Sequence, residues 1–261
     1  MTRKIAFITD THLNQQLVHS NDFDSDKMSY RPLGGAHYPH LETILADIKE
    51  KNITEIIFGG DIGSIDANKL FFETVEKTGT SFSIILGNHD KFTEVRKYYK
   101  EPGVFDDTLD FSKEDHFFKY IFIDSSAGML QNKQLDWIAG SLKTSRSVIV
   151  FIHHPLLEIP AQLEKIGAAL KNRDEVLNVL HTAASPVTVF CGHYHLDDEI
   201  KRASVHQYCT IAASYEIGKE KDRISTYPDS FGYRIIELDR DEMTTTTVHF
   251  KSPDRISISV S

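Results

Sequence analysis

The sequence has few cysteines and no long apolar segment. Its 261 residues include two cysteines, Cys191 and Cys209, without a CxxC spacing, which excludes a disulfide framework and a thiolate zinc site. The opening Met1-Thr2-Arg3-Lys4 leads into the short apolar run Ile5-Ala6-Phe7-Ile8. That run is too short for a signal peptide or a membrane span, so we expect a cytoplasmic protein.

Positive charge is also scarce. Lysine and arginine number 29 against 38 aspartates and glutamates, which gives a formal net charge of -9. The resulting field repels polyanions and disfavours non-specific binding to nucleic acid or to an anionic membrane. The length is sufficient for a sizeable core, and no linker or low-complexity tract divides the chain. We therefore predict a single domain over residues 1–261.

What the sequence does contain is an alternation of strand-like and helical segments, the pattern of βα units around a buried sheet. Apolar or β-branched runs predict strands at 4–9, 55–58, 82–86, 117–123, 147–152 and 187–190. Helical periodicity predicts helices at 41–51, 67–77, 93–99, 131–143 and 161–181. The extended runs at 205–213, 232–238 and 244–250 have no helix of useful length between the last of them, which predicts antiparallel strands.

Two stretches do not follow this alternation. Residues 14–39 form a long polar connection, which we interpret as an insertion that folds over the site as a specificity lid. Its acidic residues Asp22, Asp24 and Asp26 lack the glycine and terminal glutamate of a calcium loop, so we expect them to be solvated. Residues 215–230 are charged and without periodicity, which predicts a surface loop.

Polar residues follow five of the predicted strands. In α/β sheets, ligands collect outside the carboxyl ends of the strands, so we expect these side chains to converge. The five strand ends carry Asp10-Thr11-His12, Asp61, Asn88-His89-Asp90, His153-His154 and His193-Tyr194-His195.

From these residues we select seven with carboxylate, amide or imidazole donors as candidate ligands, which is more than one tetrahedral ion needs. Two divalent or trivalent ions that share a bridging carboxylate would use them all, and mixed nitrogen and oxygen donors favour Mn, Fe, Zn or Co over Mg. In the x-spaced pairs Asp10-x-His12 and His193-x-His195, an extended backbone would turn both side chains of a pair to the same side. Glycines before Asp61, Asn88 and His193 suit a close approach of the backbone to a bound group. The predicted ligands are Asp10, His12, Asp61, Asn88, His153, His193 and His195.

The ordered set of motifs resembles the calcineurin-like metallophosphoesterase superfamily, and most closely its bacterial cyclic-nucleotide and glycerophosphodiester phosphodiesterase branch. The set comprises Asp10-x-His12, Gly60-Asp61, Gly87-Asn88-His89-Asp90, His153-His154-Pro155 and Gly192-His193-x-His195. The resemblance implies an α/β fold: a four-layer αββα sandwich of two mixed β-sheets flanked by helices.

The resemblance also implies a role for each residue. Asp10, His12 and His195 would hold one metal, Asn88, His153 and His193 the other, and Asp61 would bridge them. His89 would stand beside the substrate phosphoryl group, as a proton donor to the leaving oxygen or as a stabiliser of transition-state charge. We expect Asp90 and His154 to lie behind these groups; the Asp90 carboxylate would hydrogen-bond a ring nitrogen or another supporting group, or cap the following helix.

Two departures from family patterns bear on the function. Ser64 stands where purple acid phosphatases carry a tyrosine ligand, which disfavours that branch. Lys91-Phe92 stands where an arginine often follows in the preferred branch, which leaves the identity of the substrate open. We predict a binuclear phosphoesterase that hydrolyses a small phosphodiester, such as a cyclic nucleotide or a glycerophosphodiester, through a hydroxide that bridges the ions. A phosphomonoesterase with the same centre is the alternative, a nuclease and a non-catalytic scaffold are less favoured, and the sequence is compatible with a homo-oligomer.

Overall fold

A computed structural model describes residues 2–20, 27–101, 103–220 and 223–252 of the chain. The predicted acidic cluster at Asp22, Asp24 and Asp26 lies outside these residues. The strands are β1 (Arg3–Ile8), β2 (Gln15–Ser20), β3 (Lys27–Pro32), β4 (Glu55–Phe58), β5 (Ser81–Ile84), β6 (Phe111–Glu114), β7 (Phe118–Ile123), β8 (Ser147–Ile152), β9 (Val187–Cys191), β10 (Asp198–Arg202), β11 (Val205–Cys209), β12 (Glu216–Ile217), β13 (Thr226–Tyr227), β14 (Ser230–Asp239) and β15 (Glu242–Lys251). The helices are α1 (Tyr38–Glu50), α2 (Ala67–Glu76), α3 (Phe92–Val95), α4 (Asn132–Ser141), α5 (Gln162–Lys165) and α6 (Arg173–Leu180).

Two mixed sheets form the centre of the fold. The first has the order β15-β14-β1-β4-β5 and the second the order β10-β11-β9-β8-β7-β6. In the first sheet β1, β4 and β5 are parallel, while β14 and β15 form the antiparallel pair predicted for the C-terminal strands. In the second sheet β7, β8, β9 and β11 are parallel, with antiparallel strands at both edges. The parallel strands of each sheet therefore deliver their carboxyl ends to one side.

The alternation of side chains along the strands separates two cores. Phe151 of β8 packs between the sheets, with its ring centroid 5.6 Å from that of Phe7 on β1. Its neighbour Val150 points the other way and joins a second core with Ile138 of α4. Ile44 of α1 packs on the first sheet, so the layers run helix, sheet, sheet, helix. The predicted αββα sandwich is confirmed.

The largest differences from the sequence prediction are in three segments. The polar connection at 14–39 is not an irregular loop, because β2 and β3 pair within it as an antiparallel hairpin. The predicted surface loop at 215–230 contains the two-stranded ribbon of β12 and β13, and its first residue, Tyr215, is buried. The predicted helix at 161–181 is interrupted between α5 and α6, where Gly167 has a φ of 80°. Within the described part of the chain, no helix is long and apolar enough to cross a membrane.

A buried carboxyl group ties the start of β6 to the end of β7. Asp110 accepts hydrogen bonds from the Asp124 backbone N–H at 3.0 Å and from the Gln134 Nε2 at 2.9 Å. Burial is the main cause that raises the pKa of Asp110 to about 7. Since an unfolded aspartate titrates near pKa ~3.9, folding takes up a proton at Asp110 between these two values. The free energy of unfolding that Asp110 contributes therefore falls as the pH rises through that window.

The Asp110→Asn variant should lose this contribution. We expect the wild-type free energy of unfolding to fall by about 2–3 kcal/mol more than that of the variant between about pH 5 and about pH 8. Urea titrations of both proteins with a chelator present measure the difference, and groups shared by the two proteins cancel. Asp106→Asn, at an exposed carboxylate nearby in the chain, should behave as wild type. Equal slopes for wild type and Asp110→Asn would contradict the assignment.

Candidate metal centre

The five predicted strand ends meet where the two sheets come together. The His153 Nε2 after β8 lies 3.4 Å from the Asp61 Oδ2 after β4, so one contact joins the two sheets. A second contact joins them after β1 and β9, where the His195 Nε2 lies 3.3 Å from the Asp10 Oδ1. The predicted convergence of these residues is therefore present in the structure.

Two groups of side chains there have the spacing of metal ligands. Asp10, His12 and His195 form one group, and Asp61, His153 and His193 form the other, with the ligand atoms of each group within 4.8 Å of one another. The Asn88 Oδ1 lies 3.2 Å from the His153 Nε2, which places this amide with the second group.

Asp61 belongs to the second group and also lies close to the first. Its Oδ2 is 3.7 Å from the His12 Nε2 of the first group and 3.4 Å from the His153 Nε2 of the second. Its Oδ1 accepts the backbone N–H of His89 at 2.8 Å, which fixes the carboxylate from the turn that carries Asn88 and His89. A carboxylate at this position has the geometry to bridge two ions.

The donor atoms fit a pair of cations. Asp10 Oδ1 is buried and accepts no hydrogen bond from any residue that the structure describes. The His12 and His195 Nε2 atoms lie only 3.1 Å apart, and burial lowers the pKa of His12 well below its usual value, which leaves its lone pair available. Burial opposes a charge on His153, yet Asp61 and Asp10 raise the pKa of His153 to about 10. Positive charge is thus favoured at this point, and metal cations would supply it.

Backbone carbonyls determine which nitrogen of each imidazole faces the centre. The His153 Nδ1 donates to the Gly59 carbonyl at 2.8 Å, and the His195 Nδ1 donates to that of Tyr215 at 3.1 Å, which leaves each Nε2 for a metal. The His193 Nε2 instead donates to the Ala168 carbonyl at 2.9 Å, so its Nδ1 is the nitrogen that remains.

Asp90 supports the centre through the backbone. Its carboxylate accepts the N–H groups of Asp61 at 2.7 Å, Ile62 at 3.0 Å and Gly87 at 2.9 Å. It therefore joins the turn that carries Asp61 to the turn that carries Asn88. Of the roles expected for Asp90, the structure supports neither a ring-nitrogen contact nor a helix cap, because these three contacts are with turns.

The backbone around the centre is left-handed at most of the predicted ligands. Non-glycine residues seldom adopt positive φ, although Asp, Asn and His do so more often than most, and such strain concentrates at functional sites. The expectation that the x-spaced pairs lie on extended backbone was wrong. The φ values are 56° at Asp10, 41° at His12, 62° at Asp61, 67° at His193 and 54° at His195.

Two glycines allow the carboxylates to approach the backbone. A Cβ added at Gly87 would lie 2.1 Å from the Asp61 Oδ1, and one at Gly192 would lie 2.4 Å from the Asp10 Oδ2. The glycines were expected to make room for a bound group. What they make room for, among the described residues, is the carboxylate of a predicted ligand.

His89 and His154 differ in their access to the adjoining cavity. A cavity of about 370 Å³ is lined by both residues and by Asp61, Asn88, His193 and His195. The His89 side chain is 35% exposed, which leaves it open to a substrate. His154 is buried, and its Nδ1 contacts the Ser125 hydroxyl at 2.8 Å. Burial lowers the pKa of His154 well below its usual value, which keeps the imidazole neutral behind the ligands.

Comparison with known proteins identifies the family. The family model described as calcineurin-like phosphoesterase matches residues 3–197. The chain belongs to the calcineurin-like phosphoesterase family. The predicted resemblance is confirmed, and with it a phosphoester hydrolase that depends on metal ions.

Relatives and solved structures agree with this family. The chain is 30% identical over 152 residues to the "probable glycerophosphodiester phosphodiesterase" of Arcobacter nitrofigilis, a match that covers 54% of this chain and 56% of that relative's length. It is 23% identical over 255 residues to the "probable cyclic nucleotide phosphodiesterase" of Fibrobacter succinogenes, which covers 96% and 95% of the two chains. A dimetal phosphatase of Danio rerio has the same fold, with a TM-score of 0.71, 14% identity and coverage of 95% and 98%.

Two tyrosines at the centre were not among the predicted site residues. Tyr30 of β3 stacks on the His12 ring with a centroid distance of 4.5 Å, and Tyr215 packs on the His195 ring at 4.4 Å. Tyr30 falls in the predicted lid segment, which was the available signal for it. Nothing in the sequence around Tyr215 indicated that it is buried against a predicted ligand.

Proposed function

We propose that this chain is a binuclear metal-dependent phosphodiesterase that hydrolyses a small-molecule diester, such as a cyclic nucleotide or a glycerophosphodiester. The observation that carries the proposal is the position of Asp61, which lies within 4 Å of imidazole nitrogens from both groups of ligand-spaced side chains and lines the adjoining cavity. The names of the two bacterial relatives support a diester as the substrate.

The metal assignment is part of the proposal. Two ions of Mn, Fe, Zn or Co would be held in two sets, with Asp61 shared between them. Ions in such a pair activate water and neutralise phosphoryl oxygens. The first set is Asp10, His12 and His195, and the second is Asn88, His153 and His193.

The chain's own side chains then position the ester. His89 lies next to Asp61 on the open side of the centre, with its Nε2 4.0 Å from the Asp61 Oδ2, and we assign it to the leaving oxygen. An imidazole is suited to proton transfer near neutral pH. Met28, Leu163, Ile166 and Ile217 give the cavity an apolar wall for an organic ester arm.

The charge of the cavity supports a diester. Among the described residues that line it, Lys171 is the one lysine or arginine side chain. A diester carries a single negative charge, so it needs fewer cationic partners than a monoester dianion. The net charge of -9 and the small cavity both disfavour a polymeric nucleic acid substrate.

An activity panel on metal-reconstituted protein tests the proposal. It compares an aryl phosphodiester, an aryl phosphomonoester, cyclic AMP and a glycerophosphodiester. We expect the diesters to be hydrolysed with the higher kcat/KM. Activity on the monoester alone would overturn the diester assignment, and no activity on any of the four would favour a non-catalytic scaffold.

We also propose that the segment 14–39 acts as a specificity lid. Leu17, Met28 and Tyr30 of the β2–β3 hairpin pack on the second core, and Met28 and Tyr30 line the cavity. The hairpin therefore closes one side of the space in which an ester arm would lie. A single domain, a cytoplasmic location and a homo-oligomer stay predictions of the sequence.

Shortening Met28 tests the lid. Met28→Ala should raise KM for an aryl phosphodiester by about fivefold to tenfold, because a thioether side chain no longer covers the arm. Its kcat should change little, since the substitution leaves the ligands in place. Steady-state kinetics on two diesters with arms of different size measure the effect. Leu33→Ala, at an exposed apolar residue that does not line this cavity, is the control. Unchanged KM values in Met28→Ala would contradict the proposed lid.

A further inference from the structure

Two tyrosine hydroxyls form a pair beside the first group of ligands. The Tyr30 and Tyr215 hydroxyls are in hydrogen-bond contact, and the Tyr30 hydroxyl also lies 3.2 Å from the His12 Nε2. The two chain segments reach this point from different directions, since Tyr30 is on β3 and Tyr215 directly precedes β12. Both rings are packed on ligand imidazoles, so the position of the pair is fixed by the centre itself.

The hydrogen bonds of this pair can be counted. A tyrosine hydroxyl is protonated below its ordinary pKa of about 10, so the two hydroxyls carry two protons. Within the described residues, their acceptors are each other and the His12 Nε2. One hydroxyl donates to the other, and the second proton goes to the imidazole nitrogen.

This arrangement would change if His12 served as a metal ligand. The Nε2 lone pair would then be shared with the cation and would no longer accept a hydrogen bond. One hydroxyl proton of the pair is left without an acceptor in the described part of the chain. Tyr30 lines the cavity and Tyr215 does not, so the unassigned proton is the one that Tyr30 can direct toward a bound molecule.

We infer that Tyr30 donates its hydroxyl proton in a hydrogen bond to a phosphoryl oxygen of the bound ester. Tyr215 is then a positioning residue that makes no contact with the substrate itself. This inference rests on the proposed function, because it needs a phosphoryl group in the cavity. Tyr30 and His89 flank the same space, with ring centroids 4.9 Å apart in an edge-to-face arrangement. His89 is assigned to the leaving oxygen, and Tyr30 to an oxygen that remains on phosphorus.

The variant Tyr30→Phe removes the hydroxyl and keeps the ring that stacks on His12. The first measurement is the affinity of metal-loaded protein for inorganic phosphate by calorimetry, and the second is metal content by elemental analysis. We expect the Kd for phosphate to rise about tenfold to hundredfold, because a hydrogen bond to a charged acceptor is lost. Metal content should equal that of wild type. An unchanged phosphate Kd, or a loss of metal in Tyr30→Phe, would overturn the inference.

Two further variants make the result specific. Tyr233→Phe removes a buried hydroxyl that contacts Asp47 on α1, away from the cavity lining, and should leave phosphate affinity unchanged. Tyr215→Phe should weaken phosphate binding less than Tyr30→Phe. A larger effect in Tyr215→Phe would overturn the inference, because it would show that Tyr215 makes the phosphate contact. Phosphate binding needs no turnover. Even if the protein were inactive on every ester of the panel, the phosphate Kd values would therefore still test this inference separately from the proposed function.

Discussion

Replacing Asp61 by asparagine should remove at least one metal ion and lower kcat/KM by about 10³-fold or more. The carboxylate lies within 4 Å of imidazole nitrogens from both groups, at 3.7 Å from His12 and 3.4 Å from His153. A neutral amide keeps the shape of the side chain and one oxygen for the His89 N–H. The amide lacks the negative charge that would hold two cations close together.

The two measurements for this variant are metal content after desalting and kcat/KM on an aryl phosphodiester. Asp61→Ala should lose metal as well, but it also opens a buried space, so the asparagine variant is the cleaner comparison. Asp66→Asn changes an exposed carboxylate in the same connection between β4 and α2 and should retain metal and activity. Two retained ions with activity within tenfold of wild type would exclude a bridging role for Asp61.

The convergence of the candidate ligands was predictable because strand signals and polar residues are both local in sequence. An apolar run such as Ile84-Ile85-Leu86 predicts a buried strand, and the polar residues after it are visible in the sequence. Parallel pairing then brings the strand ends to one side of a sheet. The division into two metal sets came from the family resemblance, and the spacing of the groups in the structure is compatible with it.

The hairpin that carries Tyr30 was not predictable in the same way. Its strands, Gln15–Ser20 and Lys27–Pro32, are mostly polar, and among their described side chains Leu17, Met28 and Tyr30 pack on the second core. Tertiary contact rather than intrinsic strand preference stabilises such a pair. A sequence without this context shows only a long polar connection.

Hydrogen bonds to backbone carbonyls could not be predicted from the residue types. Every residue has a carbonyl, so nothing indicated that those of Gly59 and Ala168 would orient His153 and His193. The predicted helix at 161–181 was wrong for a related reason. Its periodicity continues through residues 166–172, where the chain departs from helix and brings the Ala168 carbonyl to His193. Gly167 was the one local indication of that break.

The second large effect is expected for His89→Ala, and it should depend on the leaving group. For a diester with an alkyl leaving group, kcat should fall by about 10²–10⁴-fold, because the alkoxide leaves without a proton. For a nitrophenyl diester the fall should be much smaller, since a nitrophenolate leaves without protonation. Metal content should stay at the wild-type value, because His89 contacts Asp61 through its backbone N–H and belongs to neither ligand group.

Kinetics on the two diesters, with elemental analysis of each protein, measure this prediction. His116→Ala removes an exposed imidazole away from the cavity lining and should match wild type on both substrates. Comparable activity of wild type and His89→Ala on the alkyl diester would exclude the assigned role. A loss of metal in His89→Ala would instead place the residue among the ligands.

A third variant separates the two roles that the imidazole can have. His89→Gln retains a hydrogen-bond donor in the cavity but cannot transfer a proton at neutral pH. If His89 protonates the leaving oxygen, the glutamine variant should be as slow as His89→Ala on the alkyl diester. If the imidazole only stabilises charge on the phosphoryl group, glutamine should restore part of the rate on both diesters alike. We expect the first result, because the proposed Tyr30 hydrogen bond would supply a donor for the phosphoryl oxygens and leave His89 to serve the leaving group.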